Sequence, residues 1–207
     1  NSDLVKQEER VVEEVYRVGA KYDREIHRIV RHLQDAVEFA PPATADALRA
    51  LIRFYTTGDE ADRVAYDIAW VRDQAGSVDT INGFVEVYLD PRGTKGAWEG
   101  MVCYVNPERT RRIAALATHA QWFEDHAPWS AGFRKPEVLG VTAKAIDVLV
   151  ETGDSGPLTP VGINLPNDQA VRERYGSKSV SLVNVNEAYE RSTPEEMRTE
   201  FCWNDAE

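Results

Sequence analysis

The apolar residues of this chain change their spacing near residue 77, and that change constrains the fold more than any other feature. Up to Val71 they recur every three or four residues, the period of a helix with one buried face. From Phe84 onward they gather into short β-branched and aromatic runs bounded by turn residues, the pattern of strands. A chain that separates the two periods predicts an α+β fold. Its N-terminal half is helical, and a mixed, mainly antiparallel β core with packed helices follows.

In the helical half, Val11, Val12, Val15, Val18, Tyr22, Ile26, Ile29, Val30, Leu33 and Val37 share one face. That periodicity predicts helix throughout the first 39 residues. Pro41-Pro42 ends it. Thr44 is the expected cap of a second helix with Leu48, Leu51, Ile52 and Tyr55 on its apolar side and Gly58 at its end. A third helix starts at Asp59 or Asp62 and carries Val64, Ile68 and Val71 toward Gly76. Residues 82–106 then read as a hairpin turning at Asp90-Pro91-Arg92-Gly93. Asn106-Pro107-Glu108 opens a helix that runs to about Ala127-Pro128. Val138–Val150 and Val180–Val185 are strand candidates, with a short helix between Asn167 and Tyr175. Thr193-Pro194-Glu195-Glu196 is a capping-box start. The expected organisation is a helical region over 1–76, a mixed β/α region over 77–190, and over 191–207 the start of a helix that is cut short. The absence of an initiator Met before Asn1-Ser2-Asp3 fits the same expectation of a piece of a longer protein.

Charge narrows the partners. Lys and Arg number 24 against 35 Asp and Glu, a net charge of −11. Nucleic acid and anionic membranes both reward a basic face, so the balance argues against either. No run approaches the roughly 18 apolar residues of a membrane span. Cys103 and Cys202 lie far apart, which predicts small core residues in a reducing, cytoplasmic compartment.

A zinc-peptidase helix needs two histidines one turn apart with a glutamate between them, and no His-Glu-x-x-His occurs. His27 and His32 diverge by about 140° on a helix, and His119 and His126 are about 10 Å apart along its axis. No Gly-x-Ser-x-Gly elbow or glycine-rich phosphate loop is present. What remains suits a peptide. Gly162-Ile163-Asn164-Leu165-Pro166-Asn167, with its glycine and proline, reads as an edge strand to which an extended peptide can add. Asn164 and Asn167 carry both donors and acceptors, and Asp79 offers a counter-charge to an ammonium group. Each has a plainer reading beside it, since Asn next to Pro is common in turns and Asp before a strand is a common cap.

Several uncommon strings bear on the choice. Asp79-Thr80-Ile81-Asn82-Gly83-Phe84-Val85-Glu86-Val87-Tyr88-Leu89-Asp90-Pro91-Arg92-Gly93, followed by Lys95-Gly96-Ala97-Trp98-Glu99-Gly100, closely resembles a segment of the dipeptidyl-peptidase III family. Leu51-Ile52-Arg53-Phe54-Tyr55-Thr56-Thr57-Gly58 with Trp70-Val71-Arg72-Asp73, and Gly162–Asn167 with Ser179-Val180-Ser181-Leu182, are similar to further segments in the same order. The resemblance covers roughly residues 45–190. It implies one part of a two-lobed zinc aminopeptidase that releases dipeptides from the N-termini of oligopeptides. It implies that substrate adds as a strand to the Gly162–Asn167 edge, with Gly162, Asn164 and Asn167 binding its N-terminal part. Asp79 stands where the family has a Glu that pairs with the α-ammonium. Ile81 stands where some members have a substrate-contacting Tyr, with Asn82 as a polar substitute beside it. The family's zinc motif, His-Glu-x-x-Gly-His, and its later Glu-Glu helix do not occur in this sequence. The resemblance therefore implies zinc in the parent enzyme, no catalytic or metal residue in this segment, and as partners an oligopeptide and the remaining zinc-binding lobe. The alternative is a non-catalytic peptide-binding or interaction protein that lacks that lobe.

Overall fold

The computed structural model of the chain describes residues 1–138, 141–156 and 159–200. The expected core role of Cys202 and the end of the last helix lie outside the described residues. Three helices form the first layer: α1 (Asp23–Val37), α2 (Pro42–Thr57) and α3 (Glu60–Arg72). They precede a five-stranded sheet of β3 (Val78–Glu86), β4 (Ala97–Val105), β5 (Val141–Gly153), β6 (Gly162–Leu165) and β7 (Ser177–Leu182). Strand order is β3-β4-β5-β7-β6, antiparallel throughout except for the parallel pair β5 and β7. The α+β class and the mainly antiparallel core therefore hold. No helix among the described residues is long and apolar enough to cross a membrane.

The expectation of helix over the first 39 residues is corrected at its start. Ser2–Gln7 (β1) and Arg10–Val15 (β2) form an antiparallel hairpin, with Gln7 opposite Arg10 across a two-residue turn. Val11, Val12 and Val15 match a helical spacing, but their β-branched side chains are stiff and favour extended backbone. Glu8 takes φ 55° at the turn, a conformation signalled in sequence by Gly or Asn rather than by Glu. The second helix begins at Pro42, and Thr44 donates to the Asp73 carboxylate at 2.7 Å instead of capping. The helix after Asn106 breaks at His119 into α4 (Pro107–Thr118) and α5 (Ala120–Asp125). Strand β7 ends at Leu182, and a helix, α7 (Val183–Ser192), begins inside the expected strand Val180–Val185.

Two apolar clusters hold the layers together. Tyr16, Ile26, Val30, Leu51, Phe54 and Tyr55 join the hairpin's exit to α1 and α2. Trp70, Val71, Ile81, Met101, Cys103, Ile146, Leu165, Val180 and Leu182 join α3 to the sheet, and Tyr66 packs against both. Fully burying one such aliphatic side chain contributes about 1.5–3 kcal/mol. Within the second cluster sits an ionic knot. Asp79 Oδ2 accepts from Lys144 Nζ and from Lys178 Nζ, each at 3.1 Å, while its Oδ1 accepts from Trp70 Nε1 at 3.1 Å. Lys178 is 0% exposed, and its ammonium also lies 4.2 Å from the centroid of the Trp70 ring. Burial pushes the Lys178 ammonium down to about 8 against the restoring pull of Asp79.

Asp79→Asn would leave two buried lysines facing a neutral amide. Unpairing a buried charge in this way costs about 3–5 kcal/mol. Urea unfolding should show that loss as a fall in midpoint, and a loss under about 1 kcal/mol would contradict the knot's structural weight.

Candidate functional site

The edge strand β6 is built from the Gly162–Leu165 stretch, and its neighbours make it a site. Among the described residues β6 pairs with β7 alone, with Gly162 opposite Ser181 and Asn164 opposite Ser179. Its other edge is therefore open. Leu165 and Pro166 are buried and anchor the strand's end, whereas Gly162, Asn164 and Asn167 are exposed. The Asn164 carboxamide oxygen accepts from Ser179 Oγ at 3.3 Å, which leaves its amide nitrogen facing outward from that bond. Asp168 then caps helix α6 (Gln169–Tyr175), accepting from the Val171 N–H at 2.8 Å.

A groove of about 310 Å³ runs along this edge, lined by Gly162, Ile163, Asn164, Leu165 and Asn167 on one side. Glu86 at the end of β3 and Tyr88 in the turn beyond it, Glu99 from β4, and Asp154 with Ser155 after β5 line the other. The curl of the sheet thus brings the β3 edge across from the β6 edge. Glu86 Oε2 is buried and has no hydrogen-bond partner among the described residues. Glu99 is 6% exposed, and its carboxyl is pushed up to about 7 by burial first, then by the Glu86 and Asp154 carboxylates. Three acids converge on one wall without a cation, an arrangement that a positively charged group would relieve.

The five residues expected at the site separate into two sets. Gly162, Asn164 and Asn167 share the groove. Asp79 does not reach it, because its carboxylate is committed to Lys144, Lys178 and Trp70 beneath the sheet. Asn82 is absent from the groove but lines a second cavity of about 470 Å³ that shares Leu165 and Asn167 with it, and accepts from the Tyr55 hydroxyl at 2.5 Å. Glu86, Tyr88 and Glu99 were missed. The alternation Val85-Glu86-Val87-Tyr88 carries the signal, since it puts an acid and a phenol together on one strand face. A bulge between Phe84 and Glu86 shifts that face relative to Asp79, which no spacing rule anticipates.

Among the described residues, no group of three or more His, Cys, Asp or Glu is placed to hold a metal ion. These residues do not fit a zinc site.

The curled mixed sheet with its helical cover recurs in solved structures of longer chains. The solved structure of DPP III from Caldithrix abyssi overlays 90% of this chain with a TM-score of 0.78 at 24% identity, using 36% of that protein. The dipeptidyl-peptidase III of Corallococcus sp. strain EGB does so with a TM-score of 0.79 at 23% identity, again over 90% of the chain and 35% of the other. In sequence, dipeptidyl peptidase 3 of Rattus norvegicus is 30% identical over 77% of this chain and 21% of its own length. That of Dictyostelium discoideum is 31% identical over 81% and 24%, respectively. The sequence model of Peptidase family M49 matches residues 2–204. The chain belongs to peptidase family M49, the dipeptidyl-peptidase III family. It spans about a fifth to a quarter of the length of these curated relatives.

The folded chain keeps the Glu99 proton up to about pH 7, whereas an unfolded carboxyl releases it near the ordinary carboxylate value. Stability therefore falls as pH rises through that window. Glu99→Gln should remove the slope, gaining about 1–2 kcal/mol over the unsubstituted chain between pH 5 and pH 8. Urea unfolding at the two pH values measures it, and an unchanged difference would place Glu99 in a solvated setting instead.

Proposed function

We propose that this chain is the peptide-anchoring part of a dipeptidyl-peptidase III-like zinc aminopeptidase that releases N-terminal dipeptides from oligopeptides. The observation that carries the reading is the uncompensated Glu86–Glu99 pair facing the open edge of β6. A free α-ammonium between these carboxylates supplies the cation the wall lacks, through charge-assisted hydrogen bonds. The rest of the peptide then adds to β6 as a strand, its backbone paired with outward N–H and C=O groups and its first carbonyls within reach of the Asn164 and Asn167 amides.

This geometry sets a register. An extended chain advances about 3.3 Å per residue, so anchoring the ammonium fixes the second peptide bond about 7 Å along the edge. In this reading the zinc of the parent enzyme, carried by residues other than those described here, supplies Lewis-acid and water-activating chemistry at that bond. The present residues bind, orient and measure two residues from the terminus. Such positioning supplies a large part of a catalytic gain. On its own the 207-residue chain then binds peptide, holds no stoichiometric zinc and releases no dipeptide. One tightly bound zinc per chain together with activity would overturn that assignment.

The test is calorimetric. An unblocked pentapeptide should bind, and its N-acetylated form should bind about tenfold or more weakly, because it lacks the cation. Glu86→Gln should erase that difference, while Asn164→Ala and Asn167→Ala weaken both forms. Affinity should rise as pH increases from 5 toward 7, where Glu99 loses its proton, and fall again as the peptide amine titrates near 8. Equal binding of the two peptides, with no pH dependence, would remove the ammonium site.

A further inference from the structure

We propose that Arg63 of α3, which is not part of the groove's lining, is a positioning residue that holds the peptide edge in register through Asp168. The inference rests on the peptide-anchoring reading and adds to it a control point outside the groove.

Arg63 is the hub of a four-residue charge cluster. Its Nη2 donates to Asp168 Oδ2 at 3.1 Å, its Nη1 to Asp67 Oδ2 at 2.5 Å, and its Nε to both Glu60 carboxylate oxygens at 3.0 Å. Only the Asp168 contact leaves α3, and it joins residues 105 positions apart in sequence. Asp168 uses its two oxygens for different tasks, since Oδ1 caps α6 through the Val171 N–H. That cap is the main cause of the lowered Asp168 carboxyl, with Arg63 adding to it. Asp168 directly follows Asn167, which faces the groove. The guanidinium is thus two residues' reach from the peptide edge, and the Asp168 carboxylate is the link.

Three features make this link decisive for position. First, α6 has only seven residues, too few to hold a helix alone, so its place depends on what it touches. Second, its other end is held by the same helix, because the Arg72 guanidinium lies 5.2 Å from the Tyr175 ring centroid. The two helices are therefore pinned start to start and end to end. Third, the cavity of about 470 Å³ is lined by Arg63 together with Pro166, Asn167 and Asp168. The corner has room to shift there once the clamp opens. Without Arg63, the Glu60, Asp67 and Asp168 carboxylates repel one another, and Asp168 is the one of the three that α3 does not carry. Burial already pushes the Asp67 carboxyl up to about 7 with Arg63 present.

A double-mutant cycle on the 207-residue chain, read by calorimetry with pentaalanine, separates positioning from general stability. Arg63→Ala should weaken binding about fivefold or more, and Arg63→Lys, which keeps the charge but not the fork, should recover part of the loss. In the Asn167→Ala background, Arg63→Ala should change affinity by less than about twofold, because the group it positions is gone. Asp168→Asn, which retains a capping side chain, should follow Arg63→Ala at a smaller size and serves if that variant fails to fold. Unchanged affinity in both Arg63→Ala and Asp168→Asn, while Glu86→Gln and Asn164→Ala still lose binding, overturns the clamp and leaves the anchoring reading standing. Fully additive losses with Asn167→Ala overturn it as well. No binding by the unsubstituted chain removes the anchoring reading and the clamp together.

Discussion

A single buried carboxylate ties this fold together. Asp79 on β3 meets Lys144 on β5 and Lys178 on β7, with the Trp70 indole from α3 closing the ring. In sheet order β3 lies three positions from β7, a separation of about 14 Å in a flat sheet. Side chains that touch at 3.1 Å across that span favour a sheet that curls toward them. The charges leave no relaxed alternative. A buried ion costs several kcal/mol unless paired, and Lys178 at 0% exposure pairs with Asp79 and lies against the Trp70 face, with Lys144 beside it as a like charge. Lys144 is further tied to the Asp73 carbonyl at 3.3 Å, which brings the end of α3 into the same knot. Helix layer and sheet are thereby locked in one arrangement.

The curl has a consequence at the sheet's edges. Strands β3 and β6 are the two outer strands, and in a flat sheet they would face away from each other. Here Glu86 from one and Gly162–Leu165 from the other line the same groove. A buried carboxylate and an open backbone edge are thus brought to one groove, where the proposed function assigns the first to a peptide terminus and the second to the peptide that follows. Their relative placement comes from β-strands rather than from loops, which suits the fixed register that the proposed function requires.

The elements most readable in sequence were those whose signals are local. The period of α2 and α3, the turn at Asp90-Pro91-Arg92-Gly93 and the proline-marked edge strand each depend on residues a few positions apart. The long strings at 79–100 and 162–182 reported the family. Non-local facts stayed hidden. Asp79 looks the same in sequence whether it faces a ligand or two lysines more than 60 residues away. The lysines themselves read as the polar face of ordinary strands. Glu86 sits one bulge beyond the parity that would have linked it to the groove. The β1–β2 hairpin was hidden by a coincidence of spacing, its valines falling at helical intervals while its turn residue, Glu8, carries no turn signal.

The chain's net charge of −11 takes on a different meaning once the acids are located. Asp79 is buried and fully compensated, so it contributes structure and no attraction. Glu86, Glu99 and Asp154 are gathered on one wall with no basic residue among the groove's lining, so their repulsion is stored in the free protein. Glu60, Asp67 and Asp168 form an intermediate case, three acids around the one guanidinium of Arg63. The three clusters form a gradient of compensation, complete in the interior, partial behind the peptide edge and absent at it. Affinity for a cation grows along the same gradient, because a ligand gains most where the protein has supplied least. In the proposed reading, an ammonium terminus is drawn to the end of the groove where its own backbone can continue along β6. The acid excess matters for its uneven distribution rather than for its total.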